Sequence, residues 1–201
     1  MSGPCCLIKS DLSRVVVVSD AGPKVWRASD LGPDDAPSAS ILAHRAASAA
    51  EWVAGLDGVR RRLGAVCIDV EETRCRWVRP SGTAGPVVSA AVRGLDQDWE
   101  QSVLPERVEV LVQDEREGAR AHGSAVAVLS LPDALPRLFL DHLDRDGVSA
   151  GEVISLWHAM ARAWDDDASG SLVCVLLDSG DGRLVWSWSR GGALIVGGAA
   201  P

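Results

Sequence analysis

Three times along this chain an apolar run closes on an aspartate, turns within a few residues and returns carrying a tryptophan. The copies are VVVVSDAGPKVW with Asp20 and Trp26, AVCIDVEETRCRW with Asp69 and Trp77, and VCVLLDSGDGRLVW with Asp178 and Trp186. Short runs rich in Val, Ile, Leu and Cys, bounded by Asp, Gly and Pro, read as strands joined by tight turns. The chain is therefore organised around strand pairs. Longer stretches with helical spacing separate them.

The first helix is expected over 38–56, with Ile41, Trp52, Val53 and Leu56 on one stripe and an alanine-rich middle. A second opens at Pro86, where Val88, Ala91, Val92, Leu95, Trp99 and Val103 keep helical spacing. Residues 107–112 and 124–131 read as strands around a polar loop at 113–123. Two helices follow, over 132–146 and 149–164. The latter starts at a capping-box spacing, Ser149 and Glu152, and carries Val153, Leu156, Trp157, Met160, Ala161 and Trp164 as its core stripe. Strands over 172–177, 183–189 and 193–196 complete the chain.

The order is ββα, ββα, ββαα, ββ(β), which predicts an α/β fold: a mixed β-sheet with flanking helices. Residues 1–13 are expected to be a flexible N-terminus. Residues 14–201 are expected to form a single α/β unit, or two lobes divided near 80–86 or 113–123.

Composition narrows the function classes. The 201 residues carry 28 acidic and 20 basic side chains, a formal charge of −8. Phosphate contacts need clustered Lys and Arg, so nucleic acid is not an expected partner. Cys5, Cys6, Cys67, Cys75 and Cys174 are odd in number and lack a CxxC pair, which points to thiols in a reducing compartment. Cys67 and Cys75 could still face each other across the second hairpin. No stretch reaches the ~20 apolar residues of a membrane helix, and the first residues lack a signal-peptide apolar core. A soluble cytoplasmic protein without direct membrane insertion is expected. Asp165, Asp167 and Ser169 imitate the start of a calcium loop but put Leu176 where its closing glutamate belongs. His44, His122, His142 and His158 have no ligand spacing, so no metal site is assigned. The motifs GxSxG, GxxxxGK[ST] and GxGxxG are absent, and no catalytic residue is assigned.

The turns themselves carry the remaining chemistry. Asp20 with Gly22, and Asp178 with Gly180 and Gly182, combine a strand-end carboxylate with glycines that let a backbone approach a ligand closely. The bland alternative is three ordinary hairpins, since Asp and Gly suit any tight turn. The second copy has Glu71 and Glu72 where glycine would be wanted, and carboxylates repel phosphate.

The strand–Asp–x–Gly turn resembles the phosphate-binding hairpins of the actin, sugar-kinase and Hsp70-like ATPases, whose core is ribonuclease-H-like. The stretch AVAVLSLPDALPRLFLDHLDRDGVSAGEVISLWHAMARAW followed by LVCVLLDSGDGRLVWSWSRGGAL is similar, in order and spacing, to one branch of that fold. The branch holds the PilM-like pilus-assembly proteins and the cytoplasmic domain of the type II secretion L protein. The resemblance runs from about Pro86 to Gly198. It implies a nucleotide cleft built from Asp20, Gly22, Asp178, Gly180 and Gly182, with Asp20 on Mg²⁺ and Mg-ATP as cofactor in an active member. The branch's active ATPases continue to an adenosine-binding Gly-Gly segment, whereas Gly197-Gly198 lies too close to the last hairpin for that part. The first expectation is thus a non-catalytic scaffold with no cofactor, binding protein partners in a pilus or secretion assembly. The second is an ATP-binding or ATP-hydrolysing enzyme. The third is a ribonuclease-H-like metal-dependent nuclease in which Asp20, Asp69 and Asp178 converge.

Overall fold

The computed structural model describes residues 3–29, 38–59, 61–69, 74–78, 106–112, 126–132, 134–164, 171–179, 182–190 and 193–201. In chain order they form β1 (Cys5–Lys9), β2 (Arg14–Ser19), β3 (Gly22–Arg27), α1 (Ala39–Ala54), β4 (Arg62–Leu63), β5 (Ala65–Asp69), β6 (Arg74–Val78), β7 (Glu106–Val112) and β8 (Val126–Pro132). Then come α2 (Ala134–Arg145), β9 (Ser149–Ala150), β10 (Val153–Ser155), α3 (Leu156–Trp164), β11 (Val173–Asp178), β12 (Leu184–Arg190) and β13 (Ala193–Ala200). Two compact units result: Met1–Val70 with Asp133–Leu156, and Glu71–Pro132 with Trp157–Pro201. The chain changes unit after residues 70, 132 and 156, not at 80–86 or 113–123. Those two stretches, the helix expected from Pro86, Glu71, Glu72, the acidic turn at 165–170 and Gly180 lie outside the described residues.

The first unit holds a five-stranded sheet in the order β10-β5-β1-β2-β3. β1, β2 and β3 form an antiparallel meander, while β5 and β10 run parallel to β1. Alternate residues go inward: Cys6, Ile8 and Val15 are fully buried and Val17 nearly so. Residues 1–13 are thus corrected from a flexible terminus, because Cys5–Lys9 is the middle strand, hydrogen-bonded on both sides. Ser38 caps α1 as the sequence suggests, its Oγ accepting from the Ile41 amide at 3.4 Å. The buried face of α1 is not the expected large stripe. Val53 is fully buried as expected, but Ile41 is exposed, and Ala46, Ala49 and Ala50 complete the sealed face. These small side chains let α1 lie close against α2, whose Phe139 and Leu143 are buried.

Two further expectations fail for one reason, that sheet pairing overrides local signals. Residues 149–155 are not helix. Ser149–Ala150 pairs with β4, and Val153–Ser155 runs parallel to β5 with Val153 opposite Val66. The β-branched pair Val153-Ile154 suits a strand better than the capping-box spacing suits a helix. The helix starts only at Leu156, which buries Trp157, Met160 and Ala161 but leaves Trp164, expected in the core, 56% exposed. β5 and β6 do not form a hairpin either. β5 sits between β1 and β10, whereas β6 pairs with β8 in the other unit. Cys67 and Cys75 therefore do not face each other across a turn.

Burial, reinforced by the nearby Cys67 and Cys5 thiols, pushes the Cys6 thiol far above its ordinary range. The folded form keeps Cys6 protonated while the unfolded chain ionises near pH ~8.5. Stability from this group is therefore complete below that pH and falls as pH rises beyond it, by up to about 1.4 kcal/mol per unit. Denaturation midpoints between pH 8 and 10 should drop more steeply for the wild type than for Cys6→Ala. Equal slopes would contradict the assignment.

The second unit contains two antiparallel three-stranded sheets, β6-β8-β7 and β11-β12-β13. β13 extends to Ala200, beyond the 193–196 expected, and a register shift near Trp188 and Ser189 twists it against β12. Gly197 and Gly198 are seats for tryptophan rings. A Cβ at Gly197 would lie 2.5 Å from Trp157 Cδ2, and one at Gly198 would lie 2.5 Å from Trp186 Cζ2. That use accounts for the glycine pair without any ligand.

Candidate functional site

Where parallel strands end side by side, ligands gather outside their carboxyl ends. In the first unit that edge is formed by β1, β5 and β10, which register Lys9 against Asp69 and Ile68 against Ser155. Asp69 is 2% exposed and Ser155 is fully buried. Asp69 Oδ1 takes no hydrogen bond, although the residue is otherwise engaged by its neighbours. This places one carboxylate at the usual position for chemistry in such a sheet.

The turn that closes this edge joins β1 to β2, and three of its amides donate within its own chain. The Ser10 amide donates to the Asp69 carbonyl at 3.0 Å, the Leu12 amide to the Lys9 carbonyl at 2.9 Å, and the Ser13 amide to Asp11 Oδ1 at 2.9 Å. Leu12 adopts φ 53, a left-handed conformation rare for a leucine, and its side chain is fully buried. Buried Arg45 on α1 sends Nη1 to the Asp11 carbonyl at 3.4 Å, fixing the turn from the helix side. A phosphate needs several unengaged amides converging on one point. At this turn the Ser10, Leu12 and Ser13 amides are engaged, and the Leu12 side chain is buried. Among the described residues no group of three or more His, Cys, Asp and Glu is placed to hold a metal.

Asp20 and Asp69, both in the first unit, lie at opposite ends of its sheet. Asp20 and Ala21 form the two-residue loop between β2 and β3, with Ser19 opposite Gly22 and Gly22 at φ 93. The register Cys5–Val18 puts that loop at the amino end of β1. Asp69 lies at the carboxyl end, six residues along, which is about 20 Å at strand spacing. Asp20 and Asp69 therefore share no site, and the convergence on which the nuclease expectation rests is corrected.

Asp178 and Gly182 belong to the other unit, in the β11–β12 hairpin, with Asp178 opposite Leu184 and exposed. Ser179 closes that turn with its amide at 3.1 Å and its Oγ at 3.0 Å from the Arg183 carbonyl, and Gly182 takes φ 84. Gly180 lies outside the described residues. The residues that sequence reasoning missed are Lys9, Asp11, Leu12, Arg45 and Ser155. The Ser-Asp-Leu-Ser turn chemistry at 10–13 was the available signal, hidden because five strand residues at the very start of a chain read as a tail.

No family model and no curated protein matches the sequence. Solved structures do. A chain of the PilM–PilN type IV pilus biogenesis complex is similar with a TM-score of 0.62 and 14% identity, over 99% of this chain and 61% of that one. The cytoplasmic domain of EpsL, an inner-membrane component of the type II secretion system of Vibrio cholerae, gives 0.53 and 14%, over 98% and 70%. A Bacteroides thetaiotaomicron protein with an actin-like ATPase fold and unknown function gives 0.39 and 9%, over 98% and 69%. This chain thus spans about three-fifths of the first neighbour's length. The likeness reaches well beyond the Pro86–Gly198 stretch that carried the sequence resemblance. The chain has the fold seen in the PilM–PilN complex chain and in the EpsL cytoplasmic domain.

Proposed function

We propose that this protein is a non-catalytic assembly component, a scaffold that uses an actin-ATPase-like fold to hold protein partners in a pilus or secretion system. The observation that carries the proposal is the closed β1–β2 turn. Its Ser10, Leu12 and Ser13 amides serve the chain itself, at the edge where a working member of the fold would meet phosphate. The two structural neighbours, a pilus biogenesis complex and a secretion-system component, support a role among protein partners. Among the described residues no helix is long and apolar enough to cross a membrane, in keeping with a cytoplasmic place beside such an assembly.

Calorimetric titration of the purified chain with Mg-ATP at millimolar nucleotide should give no binding heat, and phosphate release should stay at the background rate. Robust hydrolysis that disappears in Asp178→Ala would instead favour the ATP-dependent enzyme, in which Asp20, Gly22, Asp178, Gly180 and Gly182 hold Mg-ATP.

A further inference from the structure

Two polar side chains are sealed inside the second unit. Ser187 and Ser189 on β12 are each fully buried, and neither hydroxyl makes a hydrogen bond within the chain. Size alone does not account for serine at these positions, since alanine is smaller and carries no polar atom to desolvate. A buried hydroxyl without a protein partner is costly, and an ordered water is the common way such a group is satisfied. The two hydroxyls are placed to share one. Two residues apart on one strand, they leave the same face of the sheet with their Cα atoms about 6.7 Å apart. A single water bonded at about 2.8 Å on each side spans about 5.6 Å, a gap that two serines close by leaning toward each other.

The register makes room beside them. Trp188 pairs with Val196 but Ser189 pairs with Leu194, so β13 carries one extra residue, Ile195, at that point. Such a bulge spreads the two strands locally. A backbone carbonyl has two lone pairs, so one at the bulge can accept from a water in addition to any bond it already takes. The Trp157 ring rests on Gly197, opposite Ser187, and is itself 2% exposed, which shuts the place off from bulk solvent. We propose that one internal water is bound here, bridging Ser187 Oγ and Ser189 Oγ and donating to a carbonyl at the bulge. Three bonds are what a buried water ordinarily makes. The cross-strand neighbours of the two serines are Val173, Val175, Leu194 and Gly197. None is charged, so the site takes a neutral water and not an ion. The same water accounts for a strand that keeps its serines inward while Trp188 stands outward at 44% exposure. With both hydroxyls satisfied the register holds, whereas a one-residue slip would exchange the two faces.

Ser187→Ala and Ser189→Ala separate a bridged pair from an orphaned one by the sign of their effect. With the water in place, each change removes one of its anchors. The folding equilibrium constant from urea denaturation should then fall about fivefold in each single variant. Losing either anchor releases the same water, so the double variant should lose clearly less than the product of the two single losses. If the hydroxyls have no partner, alanine removes a penalty, and a single variant as stable as the wild type or more so overturns the proposal. A crystal structure of the 201-residue chain should show one density peak at about 2.6–3.2 Å from both Oγ atoms. Hydroxyls bonded to protein groups, with no peak between them, would equally overturn it.

Discussion

Gly197→Ala should destabilise the second unit by about 2–3 kcal/mol, the upper part of the range for overpacking a filled site. The added Cβ would stand 2.5 Å from Trp157 Cδ2 and 2.6 Å from Cγ, well inside contact distance. Neither side can yield cheaply. Trp157 is 2% exposed in the first turn of α3, and the Gly197 backbone is held in the ladder opposite Ser187. A rigid indole ring cannot swing aside as the end of a lysine could. Urea denaturation followed by tryptophan emission measures the effect. Gly55→Ala is the control: its Cβ would meet the Glu51 carbonyl at an ordinary 3.4 Å, and the change should stay within about 0.5 kcal/mol. If the two variants unfold at the same midpoint, the indole does not rest on β13 as described.

Gly151→Ala should be comparably damaging in the first unit, at about 2–3 kcal/mol. Here the obstacle is backbone. The new Cβ would lie 2.6 Å from the Gly64 carbonyl oxygen and 3.2 Å from that of Leu63. The same residue donates its amide to the Leu63 carbonyl at 2.9 Å, while the next residue accepts from the Val66 amide at 2.9 Å. Gly151 is thus the point where the β4–β9 pair passes into the β5–β10 pair. Moving it breaks bonds in both ladders, and those ladders position Asp69 and Ser155. Hydrogen exchange should show lost protection at the Val66 and Gly151 amides, or at Val66 and its neighbours in the variant. Unchanged protection there would contradict the close approach.

Some of this was legible from residue chemistry. The Asp20-Ala21 loop and the Asp178 turn were both recognisable, because each combines a buried-type run with turn residues and a return strand. Ser38 announced the start of α1. The second copy of the pattern misled, since AVCID and RCRWV look like partners in sequence but pair with strands far away along the chain. Nothing local distinguishes a strand that turns back from one that leaves its sheet. Residues 149–155 misled in the opposite sense, because a capping-box spacing in front of an apolar stripe reads as helix until a parallel neighbour claims Val153 and Ile154. The alanines of α1 were read as helix filler, yet they are its buried face. At the candidate site, the buried carboxylate of Asp69 was named among the repeated aspartates. The turn that closes over it was not, because its effect depends on long-range bonds from Asp69 and Arg45 rather than on its own composition.

Whether the β1–β2 turn is closed to phosphate is the central claim, and the backbone amides of Ser10, Leu12 and Ser13 report on it directly. In a ¹⁵N-labelled sample titrated with Mg-ATP to millimolar concentration, these three resonances should not move, and they should stay protected from exchange as donors inside the fold. Saturable shifts centred on Ser10 to Ser13, with Asp69 following, would show a phosphate taking those amides and would contradict the scaffold function.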